Sequence, residues 1–380
     1  MLTGITVKDY TTFIGETHFD FRATSYKILE ETNVGANRVL KGALFVGENA
    51  SGKTKILDAI CFLLKLLFEE GKEIELGKFK NKSFYTKGDK YKLTYYFELN
   101  NKEIKYEIEF EKNSIISENL LLDGKNLLSR IKTNGKTSFT DEDKTPEVAA
   151  DLLLLRQEYY HTRLDNHKLL NEWIDYLKNA IYINCVHRSS QFFNSLNIEQ
   201  KHLKNHLQKN KDLSEINSML KKINYSSSFT LVKEEGTTNE ELCMIKNGTN
   251  INVPLKLESS GNIALANVIL SIIYATKNDC LLIIDEFSSG LHNELEESLI
   301  RYFFDNSKNS QLFFASHSTN ILDNMFLRPD QIYSFRFDSK KGTLIERFSN
   351  ENPRESQNIE KMYLDGVFNG KPNYRKDFKN

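Results

Sequence analysis

"RVLKGALFVGENASGKTKILDAICFLLKLLFEE", from Arg38 to Glu70, strings together an apolar run, a glycine-rich turn and a long apolar pattern. The run ends near Val46 and reads as a buried strand. From about Lys53, Ile56, Leu57, Ile60, Leu64 and Leu67 recur at helical spacing. A strand that breaks on glycine and restarts as a helix points to an α/β fold built on a parallel sheet.

The turn, "GENASGKT" from Gly47 to Thr54, matches G-x-x-x-x-G-K-[ST]. Gly47 and Gly52 permit a tight loop in which the backbone N–H groups of Glu48, Asn49, Ala50 and Ser51 face inward. Lys53 can reach β- and γ-phosphates as a mobile positive charge, and the Thr54 hydroxyl can hold Mg2+. The helix that starts there adds its positive end to the same place. A Gly/Ser turn with a surface lysine is the plain alternative. The coincidence of motif, preceding strand and following helix weighs against it.

A second apolar strand ends in acids: "CLLIIDEFSSGLH", Cys280 to His292. A carboxylate at such a strand end must be paired, hydrogen-bonded or bound to a cation. In a parallel sheet, strand ends converge on one ligand crevice, which gives these acids a purpose beside the phosphate loop. Asp285 is expected to hold magnesium from the side opposite Thr54. Glu286 would orient or polarise the water that attacks the γ-phosphate. His317, after the apolar "FFASHSTNIL", is a candidate γ-phosphate contact. Two solvated acids capping a strand, and a plain strand-end histidine, are the readings these compete with.

The totals bound the rest. The chain has 380 residues, 51 Lys and Arg against 52 Asp and Glu, and a formal charge of -1. That balance argues against an overall basic nucleic-acid binder. The four cysteines, Cys61, Cys185, Cys243 and Cys280, have no metal-ligand spacing and suit reduced thiols. No signal-peptide pattern opens the chain and no stretch is apolar enough to span a bilayer, so a cytoplasmic protein with no membrane partner is expected.

"LTGITVKDYTTFIGETHFDF" reads as a short hairpin, and "YKLTYYFEL" with "IKYEIEFE" as a second. "SIISENLLLDGKNLLSRI" continues that antiparallel sheet. The segment beyond Glu147 turns helical, with "VAADLLLLRQEYY" and "LLNEWIDYLKNAIYI", and Leu203 and Leu207 share a face further on. After short strands over 228–257 comes a compact pattern: helix 262–276, strand 280–285, helix 292–305 and strand 311–315. A further helix is expected near Thr319, then strand-like edges in "QIYSFRFD" and "GTLIERF". The chain thus divides into 1–146, the first part of a split core with an antiparallel β region; 147–227, a mostly helical insertion; 228–375, the rest of the core; and a 376–380 tail.

With these residues in hand, the set resembles the ABC ATPase superfamily, in particular heads of the SMC and recombination-repair class. It is still more similar to AAA-type ATP-binding proteins of bacterial abortive-infection and phage-defence systems, which share "FVGENASGKT", "LLIIDEFSSGLH", "ASHSTNILD" and a terminal "YLDGVFNGKPN". The resemblance implies an ABC-type P-loop NTPase fold with ATP and Mg2+. It assigns phosphate to Lys53, magnesium to Thr54 and Asp285, water activation to Glu286 and the γ-phosphate switch to His317. It also places a signature at "ESSGN", on Ser259, Ser260 and Gly261, which in the family covers the nucleotide held by a second protomer. Gln157 is either the family's linking glutamine or a surface residue.

The implied function is a nucleotide-dependent head pair, a homodimer or higher homo-oligomer, that hydrolyses ATP and regulates a separate effector such as a nuclease in antiphage defence. A DNA-repair or chromosome-associated ATPase touching nucleic acid, and an ATP-stabilised scaffold, remain the alternatives. The ATPase residues are common to all three.

Overall fold

The computed structural model describes residues 1–69, 89–139, 144–162, 164, 167–187, 189–193, 212–233 and 240–371. Leu203, Leu207 and the 376–380 tail lie outside them. The first elements are β1 (Leu2–Lys8), β2 (Glu16–Asp20) and β3 (Gly42–Gly47), which runs into the Lys53–Phe68 helix. β4 (Lys90–Leu99), β5 (Lys102–Glu111), β6 (Ser114–Leu122), β7 (Lys125–Ile131) and β8 (Asn134–Thr137) follow as a meander. Helices Leu154–Thr162 and Lys168–Lys178 lead to β9 (Ile181–Asn184) and β10 (Ser189–Phe192). Helix Asp212–Lys222 precedes β11 (Ser227–Lys233), β12 (Glu240–Lys246) and β13 (Asn252–Pro254). The remainder alternates: helix Ser260–Lys277, β14 (Leu281–Asp285), helix Asn293–Asn306, β15 (Gln311–Ala315), β16 (Ile332–Asp338), β17 (Gly342–Arg347) and the short helix Ile359–Leu364.

The core is a seven-stranded sheet in the order β10-β9-β14-β15-β3-β16-β17. Its five central strands are parallel and only the edges, β10 and β17, run against them. β3, β14 and β15 are buried at every position, which is why they read as unbroken apolar runs rather than alternating ones. Alternate residues feed two separate cores. Ala43, Phe45, Leu281, Ile283 and Phe313 face the Lys53–Phe68 helix, while Leu44, Val46, Leu282, Ile284 and Phe314 face the Ser260–Lys277 and Asn293–Asn306 helices.

The second seven-stranded sheet, β2-β1-β4-β5-β6-β7-β8, is antiparallel and closes over the Lys53–Phe68 helix. Its inward residues, among them Ile5, Leu93, Tyr95, Ile108 and Phe110, join that helix's core. Twelve residues of the helix are buried, so it is wrapped on nearly all sides, and Tyr95 donates to the Ala59 carbonyl at 2.7 Å. Burying each Leu or Ile there contributes about 1.5–3 kcal/mol. The helix that carries Lys53 and Thr54 is therefore a rigid mount.

Among the described residues of 147–227 stand the helices Leu154–Thr162, Lys168–Lys178 and Asp212–Lys222, but "IYIN" is β9, which pairs in parallel with β14 and belongs to the core sheet. A four-residue strand inside a helix-rich stretch leaves no periodicity of its own. The helix expected near Thr319 is replaced by turns. Polar side chains divert that backbone: Asp323 accepts from the Met325 N–H at 2.8 Å, and Asn324 donates to the carbonyls of Glu355 and Gln357. Among the described residues no helix is long and apolar enough to cross a membrane.

Candidate functional site

The C-terminal ends of β3, β15 and β14 lie side by side, so the Gly47–Thr54 loop, His317 and the Asp285–Glu286 pair share one edge of the sheet. One strand, β15, separates the glycine loop from the acids. The loop's shape depends on its glycines. Gly47 has φ 144° and lies so close to β16 that a Cβ would fall 2.3 Å from the Phe335 carbonyl oxygen. Gly52 has φ 112°, and a Cβ there would lie 2.5 Å from Thr343 Oγ1. Both positions require a residue without a side chain.

Lys53 is buried, with Nζ donating to the carbonyls of Gly47 and Glu48 at 2.9 Å each. Burial depresses its pKa, opposed by Glu286, Asp285 and Glu48. Asn49 and Ala50 are exposed on the rim, Ala50 in the left-handed region at φ 61°, and Ser51 turns inward. Thr54 Oγ1 donates to Asp285 Oδ1 at 3.2 Å. Asp285 is buried, and burial with the neighbouring Glu286 charge pushes its pKa up to about 6. Glu286 adopts φ 56°, rare for a residue with a side chain, and its Oε2 lies 3.2 Å from His317 Nε2. That contact with His317 holds the Glu286 carboxyl below its usual range.

The structure thus brings Lys53, Thr54, Asp285, Glu286 and His317 together. It does not bring the signature to them. Ser259 caps the Ser260–Lys277 helix through its hydroxyl, which accepts from the Asn262 N–H at 3.3 Å; Ser260 and Gly261 open the helix rather than precede it. This helix packs on the other face of the core sheet from the Lys53–Phe68 helix. A Cβ on Gly261 would fall 2.9 Å from the Gly290 carbonyl, so the signature abuts the loop after β14. Gln157 donates to the Glu147 carbonyl at 3.1 Å on the Leu154–Thr162 helix, among none of the residues above.

Residues without a motif complete the site. Asn184, at the end of β9, donates to Asp285 Oδ2 at 3.3 Å, so both carboxylate oxygens have partners. Thr343 on β17 donates to the Ser51 carbonyl at 2.9 Å and meets Thr12 Oγ1 at 2.7 Å, bracing the glycine loop from two sides. The "YLDGVFNGK" segment docks on β16: Ser334 Oγ donates to the Phe368 carbonyl, and Phe368 stacks on Phe348 with centroids 3.8 Å apart.

A half-buried hydroxyl from a helix start and a buried carboxylate from a strand end are hard oxygen donors of the type magnesium takes, two at a time, with phosphate oxygens and water supplying the rest. The high Asp285 pKa fits this use, since a bound cation would offset the cost of burying its charge. Among the described residues no group of three or more His, Cys, Asp or Glu stands ready to hold a metal alone.

A family model described as "AAA domain, putative AbiEii toxin, Type IV TA system" matches residues 43–323, from β3 to just beyond His317. Among solved structures, the chain is similar to the SMC head bound to the C-winged helix domain of ScpA. That match has TM-score 0.56 and 15% identity, covering 92% of this chain and 99% of the other. It is also similar to the SMC head with an extended coiled coil bound to the C-terminal domain of ScpA derived from Pyrococcus furiosus. Here the TM-score is 0.51 and the identity 12%, covering 92% and 97%. At these identities the likeness shows the fold. A search of curated proteins gives no match to this chain.

Proposed function

The chain belongs to this AAA-domain family and has the fold of an ABC-type ATPase head, and from that premise we propose that it binds ATP with magnesium and hydrolyses it to ADP and phosphate. The observation that carries this reading is the meeting of Thr54 and Asp285 at 3.2 Å beside a buried lysine. Gly47 to Thr54 would cradle the phosphates, with Lys53 exchanging its two carbonyl partners for phosphate oxygens. Thr54 and Asp285 would hold magnesium, which neutralises charge on the transferred group when bound. Glu286 accepts a hydrogen bond from the attacking water and orients it. His317, against Glu286, contacts the γ-phosphate and ties water position to nucleotide state.

Ser259, Ser260 and Gly261 lie across the sheet from their own phosphate loop, so they would serve the nucleotide of a second copy. ATP is then the joint of a homodimer or higher homo-oligomer, and loss of the γ-phosphate opens it. The output we favour is control of a separate effector, such as a nuclease, in antiphage defence. The family's toxin–antitoxin description and the ScpA partners of the similar SMC heads support a head that works with another protein. The buried free thiols suit a reducing cytoplasm.

Steady-state release of phosphate from ATP by the full chain tests this. Magnesium-dependent turnover that vanishes in Glu286→Gln while nucleotide still binds is expected. Turnover unchanged by that substitution would refute the assignment.

A further inference from the structure

His317 is flanked by two serines that reach the same buried acid. Glu296, on the Asn293–Asn306 helix, is 0% exposed, yet its carboxylate accepts from Ser316 Oγ at 2.6 Å and from Ser318 Oγ at 2.5 Å. The Ser318 N–H donates to Ser316 Oγ at 3.1 Å, so the Ser316 hydroxyl both receives and passes on a hydrogen bond. On the outer side, the His317 N–H donates to Ser288 Oγ at 3.2 Å. The residues around His317 are thus pinned from two directions while its imidazole rests on Glu286.

An acid is an expensive way to fill this space. Its partners are hydroxyls, and burial together with Glu297 pushes its pKa up. A leucine would fill the core without that cost. What a side chain with two polar ends does here, and a leucine cannot, is hold both serines at once, one on each side of the histidine.

We infer that Glu296 is a positioning residue for His317: by gripping Ser316 and Ser318 it fixes the imidazole against Glu286 and links the switch to the helix that follows the Ser289–His292 loop. This deepens the ATPase reading and rests on it for its effect on turnover. The geometry itself stands without nucleotide.

The experiment uses the full chain and two readouts. In nucleotide-free protein, the imidazole nitrogen-15 resonance of His317, identified by its loss in His317→Ala, shifts in Glu296→Ala and stays put in the exposed control Glu294→Gln. In turnover assays, Glu296→Ala lowers kcat about tenfold with KM within about twofold, and adds no further loss in a His317→Ala background. Glu296→Gln, which still spans both serines, recovers to within about threefold of the parent. Where Glu296→Ala fails to fold, Ser318→Ala removes one of the two grips and shifts the resonance and kcat in the same direction. An unmoved resonance, or losses that multiply with His317→Ala, overturns the proposal. Absence of turnover in the parent protein would instead overturn the ATPase reading, with the resonance still deciding Glu296.

Discussion

Thr54 Oγ1 stands 3.2 Å from Asp285 Oδ1 across 231 residues of sequence. Thr54 opens the helix that follows β3 and Asp285 ends β14; those two strands are not neighbours, for β15 runs between them and is followed by His317. Asp285 is the last residue of a fully buried strand and Thr54 stands in the first turn of a largely buried helix, so both are carried by regular structure rather than a long loop. Short-range order in the sheet is therefore converted into a site with a fixed spacing between hydroxyl, carboxylates and imidazole.

Asp285 should make both stability and binding depend on pH. Its carboxyl, raised to about 6 from the ordinary 3.8, keeps its proton longer in the folded than in the unfolded chain. Protonation thus favours the fold, and the stability contributed is lost as pH rises from near 3.8 through about 6. In calorimetric melts of the nucleotide-free chain at pH 8, Asp285→Asn should unfold a few degrees above the parent, with the gap closing toward pH 4. Because magnesium competes with that proton, magnesium–ATP affinity of the parent should fall about tenfold between pH 7 and pH 5.

Pairing of heads should require the signature of the second copy. Glu286→Gln with ATP and magnesium is expected to sediment as a dimer, since bound nucleotide is no longer consumed. Adding Ser260→Arg, a bulky charge on an exposed helix start, should return it to monomer with ATP affinity unchanged. A double variant that still dimerises would show that the signature plays no part.

Thr343 is predicted to matter despite lying outside every motif. Thr343→Val removes the donor to the Ser51 carbonyl and leaves Thr12 without its partner. Urea unfolding should show a loss of about 1–2 kcal/mol. ATP should also bind more weakly, because the loop loses the brace beside Gly52.

Much of this was legible in the chain because the decisive groups sit at the ends of unbroken apolar runs. "GALFVG" and "LLIID" declare buried parallel strands, and glycine or acid follows each. β15 matched its expected bounds, and the flanking helices differ by one or two residues at their ends. What stayed hidden works through tertiary contact. Asn184 reaches Asp285 from a four-residue strand embedded among helices. Thr12 reaches Thr343 across 331 residues, and Glu296 meets its serines from the first turn of an ordinary amphipathic helix. No spacing rule marks such residues. The helix expected beyond His317 gives way to turns, where the Asp323 carboxylate takes the Met325 N–H and the Asn324 amide ties the stretch to the Glu355 carbonyl.

The most direct measurement is calorimetric titration of ATP, with and without magnesium, into the full chain and into Thr54→Ala and Asp285→Asn. The account predicts that magnesium tightens binding to the parent chain, and that each variant loses this dependence to the same extent while remaining folded. Both variants binding with the parent's affinity and the parent's response to magnesium would contradict it.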